Sequence, residues 1–440
     1  MAASVFTSDV KFQPYWWDAA PYKPLPTVEL PKSVDVVVMG AGYVGLSAAL
    51  TLARGGRDVL VCEMGAVTNG GASRNQGQMG AVFKRSFSQL SESYGRDKAV
   101  AIMKSGRAAI EFTQTLIESE QISCDLERNG RFVAAYRQED YDAMGRELEI
   151  LKREVGFAGD MVPRSEQTKH IGTDFYFGGQ LRHIDATIQP AKYQQGMIER
   201  VLSAGARIAE HTPVTRLERD GGLFRITTPR GTLTARDLFI ATNAYTGDVT
   251  PDLRRRIIPL GAYIIATEPL SPERVKQAMP TPRALHDTRK LIFGMRLTPE
   301  HNRIMFGGRA SLSETDPART APRLHRRLLQ VFPSLEGVRV THTWHGFVAF
   351  TFQYLPHIGV REDGAHFVLG CCGSGIAIGT HLGHTAALRI LNGRNAENAT
   401  PFDNLPFETR PLYTGRPWFV APTMLSYAIK DMLPRHHAGA

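Results

Sequence analysis

The chain has 440 residues, 42% hydrophobic and 22% charged, enough to bury large cores and inconsistent with a disordered, collagen-like or disulfide-stapled protein. Its 52 Lys+Arg against 43 Asp+Glu leave +9, but the densest basic run is Arg254-Arg255-Arg256, so no nucleic-acid partner is expected. Cys62, Cys124, Cys371 and Cys372 form neither a C-x-x-C pair nor a zinc spacing, which points to reduced thiols, a cytoplasmic setting and no metal.

No signal peptide and no transmembrane segment is expected. Residues 1–33, rich in Pro and aromatics (Tyr15, Trp16, Trp17), predict an extended arm lying on the body. Val34–Met39 is a β-branched apolar run, the pattern of a strand buried on both faces. A helix through Ala48–Arg54 and a second strand, Asp58–Glu63, complete a βαβ unit. Charged helices over about 96–120 and 138–155 flank a strand at Gly130–Tyr136. A helix over Gln189–Ala204 leads to Ala206–Glu210, followed by hairpins around Gly221-Gly222 and Arg230-Gly231 and a buried strand, Asp237–Thr242. Strands alternate with Pro-rich turns from 257 to 310, and a basic helix covers 321–331. His366–Gly370 is a strand that enters a glycine-rich turn and a helix to Leu391. Trp418–Ile429, interrupted by Pro422, predicts a packed C-terminal helix, with resting on a membrane surface as the alternative.

The fold class expected is α/β (α+β, two-domain): a discontinuous Rossmann-like domain with an inserted β-rich domain. The boundaries are an arm at 1–33, nucleotide-domain parts at 34–115, 189–256 and 351–395, insert parts at 116–188 and 257–350, and a tail at 396–440.

Gly40-Ala41-Gly42-Tyr43-Val44-Gly45 sits between a buried strand and a helix, with Glu63 ending the next strand, as dinucleotide binding requires. The helix N-terminus offers free N–H groups to a pyrophosphate, and Glu63 can accept from ribose hydroxyls, which disfavours a 2′-phosphate. The motif alone leaves NAD and FAD open. A second turn, Gly370-Cys371-Cys372-Gly373-Ser374-Gly375-Ile376, also follows a strand and opens a helix, an end suited to charge on a reduced flavin. Gly70 through Gln78 supplies small residues and then Ser73, Arg74, Asn75, Gln76, Gly77 and Gln78, of which Ser73 and Arg74 suit phosphate and Asn75 and Gln78 a ring system. Ala241, Thr242 and Asn243 end a buried strand where the chain turns away from a nucleotide, and Val214 lies at an adenine edge. Met64 and Gly346 complete the expected cofactor contacts.

Tyr15-Trp16-Trp17-Asp18-Ala19-Ala20-Pro21, Arg74-Asn75-Gln76-Gly77-Gln78, Asn243-Ala244-Tyr245, Arg296-Leu297-Thr298, Phe306-Gly307-Gly308-Arg309, Trp344-His345-Gly346, Leu355-Pro356-His357-Ile358-Gly359, Gly373-Ser374-Gly375 and Phe402-Asp403-Asn404-Leu405-Pro406 occur in order. Together they resemble the D-amino-acid oxidase/glycine oxidase family of FAD enzymes. The resemblance implies non-covalent FAD roofed by the β-rich insert. It also implies oxidation of the C–N bond of an amine or amino acid, a γ-glutamylated or other secondary amine among them. Hydride transfer to the flavin would give an imine that hydrolyses, with reoxidation by O2 to H2O2 or electron passage to a quinone or carrier protein. A non-catalytic FAD-binding subunit is the alternative of another class. Trp344, with Phe347 and Phe350, is expected to line the pocket, His345 to hold or deprotonate the amine, and Arg309 to grip a carboxylate, ahead of Arg131, His183 and Tyr263. The partners expected are the small-molecule substrate and an electron acceptor, with homo-oligomer formation left open.

Overall fold

The computed structural model describes residues 4–432; the outermost ends of the arm and of the tail lie outside the described residues. Two large sheets organise an α/β architecture. The first is an eight-stranded sheet centred on Ser33–Met39, which pairs in parallel with Val59–Cys62 on one side and Gly231–Ile240 on the other. Val36, Val37 and Val38 are fully buried, because helices cover one face and the hairpin layer packs on the other.

The hairpin expected at Arg230-Gly231 is present, joining Leu223–Thr228 to Gly231–Ile240, and its second arm runs on into the strand expected at Asp237–Thr242, so the two form one strand. Its first half pairs antiparallel with Leu223–Thr228 and its end pairs in parallel with His366–Leu369, while residues 234–240 pair in parallel with Ser33–Met39. The basic helix begins earlier than 321, at Pro317, because the Asp316 side chain accepts from the Ala318 N–H (2.8 Å) and Pro317 needs no partner at the first position.

The second sheet has nine strands. Val340–Phe350, Ile258–Thr267, Ile304–Gly308, Phe293–Leu297, Ala284–Asp287, Arg131–Ala134, Gly179–Arg182 and Gly159–Val162 lie side by side in that order. Phe6–Lys11 adds an edge strand beside Val340–Phe350, so part of the extended arm joins this sheet. One face of this sheet carries an apolar core under the Pro317–Val331 helix, including Phe132, Leu285, Met295, Phe306 and Tyr263. The other face turns toward the Gly70–Gln78 segment through Ile264, Ala266, Met305 and Trp344.

The C-terminal helix spans Val420–Met432 and buries only Val420 and Met424, leaving Trp418, Leu425, Ile429 and Met432 exposed. No helix among the described residues is long and apolar enough to cross a membrane.

Candidate cofactor and substrate site

The first glycine turn is shaped by close approach. A side chain at Gly45 would put its Cβ 1.9 Å from the Gly40 carbonyl, whereas one at Gly42 would meet nothing within 4 Å. Gly42 is thus an open face at the start of the Tyr43–Arg54 helix, whose first turn has no side-chain cap. Glu63 stands beside it: its carboxylate accepts from the Ala41 N–H (2.8 Å) and the Gly65 N–H (3.3 Å). Burial pushes the Glu63 carboxyl above its ordinary value, against the pull of these backbone donors. Met64 is 59% exposed, and Val214 packs at the margin of the neighbouring core.

The second turn reaches the same place. Gly370, Cys372 and Gly373 take positive φ, and the Ala377–Asn392 helix that follows also starts without a side-chain cap at Ile376. The two helices touch near their N-termini: a Cβ at Gly383 would lie 2.3 Å from the Val44 carbonyl, and the Ser47 hydroxyl donates to the Thr380 carbonyl at 2.7 Å. Two uncapped, positively polarised helix ends therefore converge. Asn243, itself at φ +45°, ties in a third element by accepting from the Gly370 N–H at 2.9 Å. Ala241 hands its N–H to the Met39 carbonyl and Thr242 bonds Thr246, so this strand end is fixed beside the first turn. Ser374 donates its N–H to Cys371 within the turn. Burial pushes the thiols up to about 12 for Cys371 and about 11 for Cys372, so both stay protonated and poorly nucleophilic.

These features fit a flavin dinucleotide. Open space lies at Gly42, Gly70 and Gly373, N–H donors are free at two helix ends, and a buried carboxylate stands at the end of the second strand.

The third element is the 74–78 loop, built by its own side chains and then pinned to the nine-stranded sheet. Asn75 donates to the Ala72 carbonyl (2.7 Å) and accepts from the Gly77 N–H (2.8 Å), while Ser73 donates to Thr68. Trp16 and Trp344 donate their indole N–H groups to the Asn75 and Arg74 carbonyls, each at 2.8 Å. The Arg74 guanidinium lies 4.8 Å over the Trp17 ring. Arg296, 2% exposed, donates to the carbonyls of Gln76, Gly77 and Ile188 as well as Leu297. Gln76 lies across two glycines of adjacent strands: it donates to the Gly294 carbonyl at 3.0 Å, and a Cβ on Gly294 or Gly307 would meet its amide at 2.4 or 3.0 Å. Gln78 reaches the Met295 carbonyl at 3.4 Å.

Strand alternation separates the expected pocket residues. Trp344 and Gly346 face the 74–78 loop, where a Cβ on Gly346 would lie 3.2 Å from Arg74. His345 is opposite Tyr263, and their rings stack at 5.7 Å on the face that carries the Pro317–Val331 helix. Burial lowers the His345 pKa first, and Arg74 lowers it further. Arg309 belongs to the same side, donating to the Glu314 carboxylate (2.6 Å) and the Gly261 carbonyl (2.8 Å). The structure thus joins Trp344 to the loop but sets His345 and Arg309 among Tyr263 and Glu314. His183 is an exposed partner of Asp160, and Phe347 packs edge-on against Tyr245. Phe350 lies beneath the Lys84 ammonium, at 5.5 Å.

Four residues that the structure places around this site escaped the sequence reading in this role. Arg296 and Trp16 stood within quoted stretches, but nothing in sequence told that they hold the loop. Glu210 gathers the Tyr22 hydroxyl and the Leu25 and Val67 N–H groups beside the first turn, and Lys84 carries no local signal.

Comparison with known proteins agrees with this geometry. The family model described as FAD dependent oxidoreductase (DAO) matches residues 35–389. The chain is 30% identical over 421 residues to gamma-glutamylputrescine oxidoreductase of Escherichia coli (strain K12), covering 95% of this chain and 98% of that protein. It is 22% identical over 372 residues to glycine oxidase of Bacillus subtilis (strain 168), covering 81% and 93%. Among solved structures, glycine oxidase from Geobacillus kaustophilus superposes with a TM-score of 0.71 at 19% identity, over 87% of this chain and 99% of that one. L-proline dehydrogenase from P. horikoshii gives 0.70 at 18% identity, over 83% and 96%.

Proposed function

Because this chain belongs to the FAD dependent oxidoreductase (DAO) family, and so is an FAD-dependent enzyme acting on C–N donors, we propose that its substrate is an amine carrying a γ-glutamyl group or a similar secondary amine. The observation that carries this reading is end-to-end similarity to gamma-glutamylputrescine oxidoreductase, joined to a pocket face built by loop 74–78. FAD, when bound, supplies the acceptor for the hydride leaving the carbon next to nitrogen.

The chain's own groups do the positioning. The Gly40–Gly45 and Gly370–Gly375 turns present backbone donors to the anionic cofactor. Gln76 and Gln78, fixed on the sheet, offer amides to the substrate side, and Trp344 walls the pocket against water. The 34–115, 189–256 and 351–395 segments act as the cofactor-holding half in this reading, with 116–188 and 257–350 as its roof. His345 and Arg309, held among Tyr263 and Glu314, support that roof and do not touch the amine.

The test is an anaerobic screen of the holoenzyme with γ-glutamylated amines, N-methyl amino acids, free amino acids and simple polyamines, read by loss of the flavin's visible absorption. Fastest bleaching by a γ-glutamylated amine is the expected result. Bleaching by free amino acids alone would overturn the substrate assignment. Admitting oxygen then separates an oxidase, which forms peroxide, from a dehydrogenase, which needs an added dye.

A further inference from the structure

A cluster of cations lies on the same sheet face as Gln76. His286 is opposite Gly294, the glycine over which Gln76 lies, and Arg131 is opposite Arg182 on the adjoining strands. Two guanidinium side chains directly across a strand pair repel one another unless something negative stands between them. Arg131 is partly neutralised: its Nε is 3.2 Å from the fully buried Asp185 carboxylate, which also accepts from the Ala81 N–H at 3.1 Å. Its Nη1 is 3.3 Å from His286 Nδ1, a contact suited to a neutral imidazole accepting from the guanidinium. Burial and the neighbouring Arg131, Arg182 and Lys84 hold His286 well below its ordinary pKa.

Arg182 donates to the Gln180 side chain and makes no ion pair among the described residues. Glu147, the other acid on this side, accepts from the Phe87 N–H, and burial pushes its carboxyl up. Lys84 is the most telling member. It is exposed at the surface, and desolvation by its surroundings lowers its pKa, with Cys372 pulling the other way. It has no hydrogen bond or ion pair among the described residues and lies only over the Phe350 ring. Three basic side chains, Lys84, Arg131 and Arg182, thus gather around His286, with the Asp185 carboxylate committed to Arg131 among them.

We propose that Lys84, Arg131 and Arg182 form an anion subsite that takes a carboxylate carried by the amine substrate, remote from the carbon that is oxidised. The proposal rests on the amine-oxidation reading above and adds to it the charge the substrate carries. A carboxylate entering here meets an unpaired ammonium and the free edge of a guanidinium, the groups that bind it most strongly.

The holoenzyme is titrated with glutarate, its neutral diamide glutaramide, and inorganic phosphate, read by perturbation of flavin absorption and by the thermal midpoint. Saturable binding of glutarate, with none of glutaramide and weaker binding of phosphate, is expected. Lys84→Met weakens glutarate about 10- to 100-fold, the loss of one charge-assisted contact, and Lys84→Arg restores it to within a few-fold. Because Lys84 has no partner to lose, the methionine variant melts at or above the parent; Arg182→Gln repeats the measurement on a second strand. Equal binding of glutaramide, tighter binding of phosphate than of glutarate, or glutarate binding unchanged in both variants would each overturn the subsite. Amine bleaching in the same preparations separates the two ideas. Bleaching without glutarate binding removes the subsite alone, and glutarate binding without bleaching by any amine removes the amine-oxidation reading.

Discussion

The two faces of the nine-stranded sheet are made from the same strands, residue by residue in alternation, yet they are built on opposite terms. Toward the Pro317–Val331 helix the face is filled: Phe306, Met295, Leu285 and Phe132 are buried with no exposed edge, and the charges present, Arg309 and Glu314, neutralise each other. Toward the 74–78 loop the face is hollowed by Gly294 and Gly307, floored by glutamine amides, and flanked by Lys84 and Arg182, which make no ion pair among the described residues. Side chains that pack contribute stability, whereas glycines and unpaired ions contribute none and persist where something else must fit.

A pair of substitutions separates these roles most sharply. Arg296→Met, on the hollow face, strips donors from four carbonyls and is expected to cost about 3–5 kcal/mol in urea unfolding, with loss of FAD retention as the loop detaches. Phe306→Ala, on the filled face, is expected to cost a similar 3–5 kcal/mol through cavity formation. Its folded fraction should keep FAD as the parent does. Loss of FAD from both variants alike would erase the distinction.

A smaller effect concerns acid. His286 on the hollow face titrates well below 6.5 in the folded chain, so as pH falls the unfolded chain takes up its proton first and stability is lost from about pH 6.5 downward. His286→Gln removes that proton uptake and should flatten the acid limb of a melting-temperature profile. His345→Gln, whose pKa is lowered less severely, should flatten it less. A larger effect from His345 would reverse the comparison.

Much of the cofactor cradle was legible in the chain because its demands are local. Gly40, Gly42 and Gly45 answer to one turn and one helix start, and Glu63 to the end of the next strand. The pocket was less legible because its parts meet only after folding. Arg296 binds carbonyls 220 residues away, and Lys84 approaches Phe350 from across the fold. Trp344 and His345 illustrate the hardest case. Both sit in one aromatic strand, adjacent in sequence, and a one-residue alternation sends them to opposite faces. Nothing local decides which is which, since Tyr263 and Ile264 alternate beside them in the same way.

The central claim is that the hollow face does the chemistry and the filled face holds it up. The most direct measurement is the rate of anaerobic flavin reduction at saturating amine in Gln76→Ala and His345→Gln holoenzymes. The account predicts a fall of about tenfold or more for Gln76→Ala, whose amide positions the substrate side, and a change of no more than about threefold for His345→Gln. An unchanged rate in the Gln76 variant together with collapse in the His345 variant would contradict it.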